Sequence, residues 1–210
     1  MNISPAKENI LRKIRKALTH STPLPFPKAE VKNLLFPAPS QELEVEFAEQ
    51  FTKLQGKFVF CLNQQELAFQ LNSLVRKQAW KKIFCREREL TTFLDPQSTE
   101  FLTDDLAGSD VSITGCEALV ARTGTIVMST ARASGRTASV YAPIHICIAR
   151  TSQLVHDVRD ALQLVRKRYE DHLPSLITFA TGPSRTADIE KTLVVGVHGP
   201  REVYCFLLDE

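Results

Sequence analysis

Between two apolar runs, Thr181 to Glu190 read TGPSRTADIE: three hydroxyls, one arginine, two acids and a Gly-Pro step. Gly182 permits close backbone approach, and Pro183 stiffens the loop. Ser184 and Thr186 can cap a helical turn that is expected to start near Ala187. The free N–H groups of that turn, with Arg185 beside them, could receive a phosphate or carboxylate. Asp188 and Glu190 work against this. An acid in a first turn already contributes about 0.3–1 kcal/mol against the helix dipole, and Arg185 can pair with Asp188 instead of a ligand. A ligand-binding loop and a self-satisfied cap both remain open.

Two more stretches could do chemistry. In ITGCEALVARTGTIVMSTARASGR, Thr114-Gly115 leaves a strand-like run, and Thr123-Gly124-Thr125 makes a tight entry into TIVMS. Glu117, just after a strand exit, could serve as a carboxylate base or nucleophile, or simply be a solvated acid at a helix start. Arg122, Arg132 and Arg136 form a positive cluster able to grip an anion. In VHGPREVY, His198-Gly199 leaves another strand, and His198 could be a general acid or base, or a hydrogen-bonded loop residue. His145 in APIHICIA reads as a satisfied histidine of the core or a cleft edge. Neither glycine series matches a dinucleotide fingerprint or a P-loop.

The elements that must position these residues follow from periodicity. Ser4-Pro5 caps a helix with Ile10, Leu11, Ile14 and Leu18 on one face and Lys7, Arg12, Lys13, Arg15 and Lys16 on the other. The proline-dense STPLPFPKAEVKNLLFPAPS then reads as an extended arm. From Gln41 strands alternate with helices: Leu43, Phe47, Phe51 and Leu54 share a helical face, GKFVFCL is a buried strand, and Asn63 with Glu66 opens the next helix. WKKIFC, VSIT, TIVMS and ASVYAPIHICIA are strand-rich. Thr151 or Ser152 is expected to cap a long helix from Leu154 to Tyr169. LITFA, LVVGV and EVYCFLL are late strands, and the last two, separated by HGPR, are expected to form an antiparallel edge hairpin. The pattern predicts an α/β fold: a mainly parallel sheet with helices on both faces. The domains are residues 1–40, a helix and proline-rich arm, and 41–210, the α/β domain. In such a sheet ligands sit beyond the carboxyl ends of the strands, so the three polar Gly-containing exits are expected to converge on one cleft.

Bulk properties narrow the function classes. The 210 residues are 43% hydrophobic and 24% charged, with net charge +2. A packed core is expected, and the small charge does not argue for nucleic acid. No apolar run is long enough to span a membrane, and the charged N-terminus lacks a signal-peptide core, so the expected location is the cytoplasm. The five cysteines form no C-x-x-C pair, which leaves no iron–sulfur or zinc motif and no cofactor identified. Monomer and homo-oligomer are both open.

ITGCEALVARTGTIVMS, ASGRTASVYAPIHICIARTSQLVHDVRDAL and ITFATGPSRTADIEKTLVVGVHGPREVYCFLLD together resemble the LUD-domain family of lactate-utilisation proteins, LutC/YkgG type. The resemblance implies a fold of the NagB/RpiA/CoA-transferase-like group, an open α/β sheet in a Rossmann-like layering. It also implies an accessory role beside iron–sulfur partner subunits that oxidise L-lactate to pyruvate, with the clusters held by those partners. The family's motif positions fall on Thr114, Gly115, Glu117, Thr123, Gly124, Thr125 and Arg136. They continue at Thr181, Gly182, Ser184, Arg185, Thr186, Asp188, His198 and Gly199. Many relatives carry an acid just before the Thr/Ser-Gly step, where this chain has Arg122. Two functions follow as expectations. One is an accessory subunit of such a system that binds its partner subunits and a small anionic ligand. The other is a stand-alone enzyme or binding module for a carboxylate, sugar phosphate or CoA-like ligand, with Glu117 and His198 as catalytic candidates.

Overall fold

The computed structural model describes residues 4–19, 38–39, 41–186 and 193–210. The chain divides into two units, Met1–Ala38 and Pro39–Glu210. In the first, helix α1 spans Pro5–Leu18, with Ser4 accepting a hydrogen bond from the Lys7 N–H and Pro5 in the first turn. None of its residues is buried.

The second unit begins with α2 (Leu43–Lys53), whose Phe47 and Phe51 stack with ring centroids 5.3 Å apart. Strand β1 (Lys57–Cys61) follows, then α3 (Gln64–Gln78). Asn63 Oδ1 accepts from the Glu66 N–H at 2.9 Å, and Glu66 accepts in turn from the Leu62 N–H at 2.9 Å, so the expected cap holds. Next come β2 (Ile83–Phe84), the short helices α4 (Arg88–Thr91) and α5 (Pro96–Thr99), and β3 (Val111–Thr114). A smaller group is formed by β4 (Ala118–Val120) and β5 (Thr125–Ser129). Helix α6 (Ala138–Tyr141) precedes β6 (Ile144–Arg150), so ASVY is helical rather than part of a strand. The chain closes with β7 (Leu154–Val155), α7 (Val158–Tyr169), β8 (Ile177–Ala180), β9 (Arg185–Thr186), β10 (Val194–Val195) and β11 (Glu202–Leu208).

The central sheet has the order β1-β11-β6-β3-β2, and every neighbouring pair is parallel. Its two faces are separated by the period-2 alternation of strands. Ile144, Ile146 and Ile148 of β6, with Tyr204, Phe206 and Leu208 of β11, face Leu67, Leu71 and Val75 of α3. Cys147, Ala149, Val203, Cys205 and Leu207 face the other way, onto Phe47 and Phe51 of α2 and onto Leu119 and Ile126. Each fully buried Leu, Ile, Val or Phe among them contributes about 1.5–3 kcal/mol by leaving water. The second face is therefore covered by α2 together with a four-stranded sheet of order β7-β4-β5-β8, in which β4-β5 and β5-β8 run antiparallel.

Three expectations are corrected. The HGPR hairpin does not form: β10 pairs with β9, and β11 lies between β1 and β6. The reason is burial. Six of the seven residues of β11 are buried, a pattern that needs neighbours on both sides and cover on both faces, whereas Val194 and Val195 are partly exposed. The long helix begins at Val158, not at Leu154, because Asp157 caps it through a reciprocal bond with Asp160, and Leu154–Val155 pairs with β4 instead. Finally, TIVMS and ITFA belong to the smaller, mixed sheet, where they pair antiparallel, which moves the Thr181-Gly182 exit away from the carboxyl ends of the parallel strands.

Candidate functional site

Beyond the carboxyl ends of β6 and β11 opens a cleft of about 420 Å³. Its floor is Ile148 and Leu208, with Leu90 and Phe93 beside them. Three cations line it: Arg132, Arg150 and Arg168. Ser152, Gln153 and Tyr169 add hydroxyl, amide and phenol groups. This is where an open parallel sheet places ligands.

Each arginine is held by an acid. Glu87, buried just after β2, accepts from Arg132 Nε at 2.9 Å, from Ser134 Oγ at 2.6 Å and from the Gly115 N–H at 3.0 Å. Burial pushes the Glu87 pKa up, but the bonds from Arg132, Ser134 and Gly115 outweigh it and hold the carboxyl below its ordinary value. Arg132 also donates to the Cys116 carbonyl at 3.2 Å, as does Gln153 at 2.6 Å. Arg150 pairs with Glu210. Arg168, at the end of α7, pairs with Glu117.

Glu117 is fully buried. Besides Arg168 it accepts from Ser129 Oγ at 2.6 Å and from the Tyr169 hydroxyl at 2.8 Å. Burial first, and then the bond to Glu117, raise the Tyr169 pKa. Glu117 is not part of the cleft lining; it orients Arg168 and Tyr169, which are. Arg168 has one side-chain bond described, to Glu117, out of five guanidinium donors, and its side chain is 40% exposed, so it can turn further N–H groups toward a ligand.

The residues singled out in the sequence gather in three neighbourhoods, two of which share Thr181 and Gly182. Gly115 lies at the carboxyl end, against Glu87. A second group seats α2. Thr123, Thr125 and Thr181 form a hydroxyl chain with contacts of 2.7 and 2.9 Å. Gly124 and Gly182 have φ of +59° and +83°, and a Cβ on Gly182 would stand 2.7 Å from the Leu54 carbonyl oxygen. Arg185 donates to that same carbonyl, at the end of α2, where a cation complements the helix dipole. The special residues of TGPSR thus clamp a helix terminus. Thr186 pairs with Val194 across β9 and β10, while Asp188 and Glu190, and with them the Arg185–Asp188 alternative, lie outside the described residues.

The third group stands at the amino end of the parallel sheet. Thr181, Gly182, Ser184, His198 and Gly199 line a cavity of about 250 Å³ that also reaches His145 and Val203. Thr114 touches this region through its hydroxyl, 2.8 Å from His145 Nε2. Arg136 is apart from all three, with a long contact to Ser175 Oγ at 3.4 Å. The expected single cleft is thus two: the Thr181-Gly182 and His198-Gly199 exits converge, while Gly115 and Glu117 face the opposite end of the sheet. Arg122 donates to Asp157 at 2.8 Å and so braces the cap of α7. His145 is not fully satisfied, since its Nδ1 has no hydrogen-bond partner among the described residues. Sequence reading passed over Glu87, Arg150, Arg168 and Tyr169, because no local motif marks a carboxylate and a guanidinium that meet from distant elements. Among the described residues no cluster of His, Cys, Asp or Glu could hold a metal, and no helix is long and apolar enough to cross a membrane.

The LUD domain model matches residues 76–208. A lactate utilization protein C of Geobacillus sp. is 42% identical over 104 residues, which cover 48% of this chain and 43% of that protein. A lactate utilization protein C of Anoxybacillus flavithermus is 37% identical over 102 residues, covering 48% and 45%. An uncharacterised protein of Neisseria meningitidis is 35% identical over 117 residues, covering 56% and 46%. The match thus spans about half the length of these curated relatives. A crystal structure of a DUF162 family protein from Deinococcus radiodurans superimposes with a TM-score of 0.63 at 20% identity, covering 82% of this chain and 99% of that one, which supports the α/β fold. This chain belongs to the LUD domain family.

Proposed function

We propose that this chain serves lactate utilisation as an accessory component in the cytoplasm, working beside iron–sulfur subunits that carry the electrons. The observation that carries this reading is the family match over residues 76–208 together with relatives named for lactate utilisation. The five cysteines are free and lack the C-x-x-C spacing of cluster ligands, which fits a division of labour in which partners hold the clusters. Copurification of the full chain with the iron–sulfur subunits of a lactate-utilisation system tests the proposal. Stable association is expected, and removal of residues 1–40 is expected to weaken it. Failure of the intact chain to associate would overturn it.

A second reading rests on the carboxyl-end cleft and is compatible with the first. The cleft would hold a small carboxylate on Arg168, with the floor of Ile148 and Leu208 receiving its apolar part. Arg168 and Tyr169 would bind the charge, and Glu117 would position both rather than exchange protons with the ligand. Calorimetric titration of the full chain with L-lactate, pyruvate, a CoA ester and a sugar phosphate tests it. At 100 times its Kd a true ligand adds about 2.7 kcal/mol of stability, and heat from none of the four would remove this reading.

A further inference from the structure

Helix α1 forms without burying any of its residues. Its local signals agree: Ser4 caps the first turn, Pro5 starts it, Glu8 sits at the amino end, and Arg15 and Lys16 sit in the last turn. Yet a helix of 14 residues is marginal in water unless one face packs on something. That face is visible. Ile10, Ile14 and Leu18 recur four residues apart, with Leu11 and Ala17 beside them. Ile10 is 58% exposed, Ile14 48% and Leu18 78%, so an aliphatic stripe stands in water.

The rest of the circumference is basic. Lys13, four residues before Ala17, and Arg15, four after Leu11, flank the stripe on its two sides, while Arg12 and Lys16 lie opposite it. Lys7 stands at the amino end. Against these five cations the helix has one acid, Glu8, so its charge is +4. The whole chain carries +2, so the residues outside α1 net −2. The positive charge is thus gathered on a helix that also exposes an apolar stripe. A nucleic acid would engage the cations and leave Ile10, Ile14 and Leu18 in water. A protein groove with an acidic rim would take the stripe and reach Lys13 and Arg15, but Arg12 and Lys16 would point out of it. An anionic bilayer uses all of them. The apolar side chains enter the acyl boundary, and the long flanking cations snorkel to the headgroups. The surface potential extends about 8 Å at physiological ionic strength, close to the width of a helix, so it attracts the far side as well. At its ordinary rise α1 is about 21 Å long, short of the roughly 30 Å hydrocarbon core, so it would lie in the membrane plane rather than cross it. We propose that α1 is a peripheral anchor that binds the surface of an anionic phospholipid bilayer. This assignment depends on neither the accessory role nor the two clefts.

The test is flotation of the full chain with phosphatidylcholine vesicles, with and without phosphatidylglycerol. Binding to the anionic vesicles is expected, about tenfold weaker on the neutral ones and weakened by salt. I10Q/I14Q leaves the charge unchanged and should abolish binding. K13E/K16E keeps the stripe and should weaken binding by about tenfold or more. All four positions are exposed, so both variants should melt as the wild type does, which thermal melting checks. No binding to the anionic vesicles would overturn the proposal. Binding that I10Q/I14Q leaves intact would also overturn it, since another surface would then be responsible. Capture of the iron–sulfur subunits through these same residues, with the vesicles ignored, would make α1 a protein-docking helix and overturn it too. The vesicle experiment contains no partner subunit, so its failure and failure of the lactate-utilisation reading are separate results.

Discussion

At the carboxyl end of the parallel sheet, Arg132, Arg150 and Arg168 pair with Glu87, Glu210 and Glu117 beside an apolar floor. At the amino end, a neutral His145 stands among hydroxyls, methyls and loop glycines. Both ends line cavities, but they solve the burial of polar groups differently. The first compensates charge with charge, and it keeps guanidinium donors available at the surface. The second keeps its titratable group uncharged, with one ring nitrogen lacking a partner among the described residues. Charge is the variable that separates the two ends.

The strongest break in this contrast is R132M. It leaves the buried Glu87 carboxylate without its cation, and removing one partner of a buried pair costs about 3–5 kcal/mol. Urea unfolding should show that loss. If R132M unfolds at the wild-type midpoint, the carboxyl end is not held by charge.

Acid titration sharpens the comparison next. The His145 pKa is about 4 in the folded chain against an ordinary 6.5. As the pH falls, the unfolded chain takes up that proton first, so the stability from neutral His145 is complete above about pH 6.5 and lost by about pH 4, on the order of 3 kcal/mol. Glu87 loses its contribution in the same direction, in the next window down. Its folded pKa is depressed, so its contribution is present above the ordinary value of 4.5 and falls away below it. Unfolding measured across pH should show both limbs, and H145F should erase the upper one alone.

A smaller effect concerns the clamp on α2. G182A places a Cβ 2.7 Å from the Leu54 carbonyl oxygen at a φ of +83°, and such strain costs about 1–3 kcal/mol. Thermal melting should register it. Smallest is R185M, which removes a cation from the end of α2 and is expected to cost about 0.3–1 kcal/mol, less in high salt. A loss several times larger would mean that Arg185 does more than cap the helix.

Local sequence carried a good part of the fold. The Asn63–Glu66 cap, the stripe of Phe47 and Phe51, and the apolar runs of β1, β6 and β11 are legible because each depends on neighbours a few residues away. The pairing of β11 was not, since LVVGV lies nearby and β1 lies far back in the chain. The site was legible in its materials more than in its geometry. TGPSR showed that the backbone there was under special demand, but the demand comes from Leu54, 131 residues before Arg185.

The sequence by itself determined the alternation of strands and helices, the caps, the absence of paired cysteines and the family. These follow from residue type and short-range spacing. Tertiary structure decided that the polar exits split between two ends of one sheet, that Glu117 is a buried anchor, and that Arg132 and Arg168 stand together. Those outcomes depend on which strands pair and on which charges must share a low-dielectric site, and both are set by contacts between residues distant along the chain.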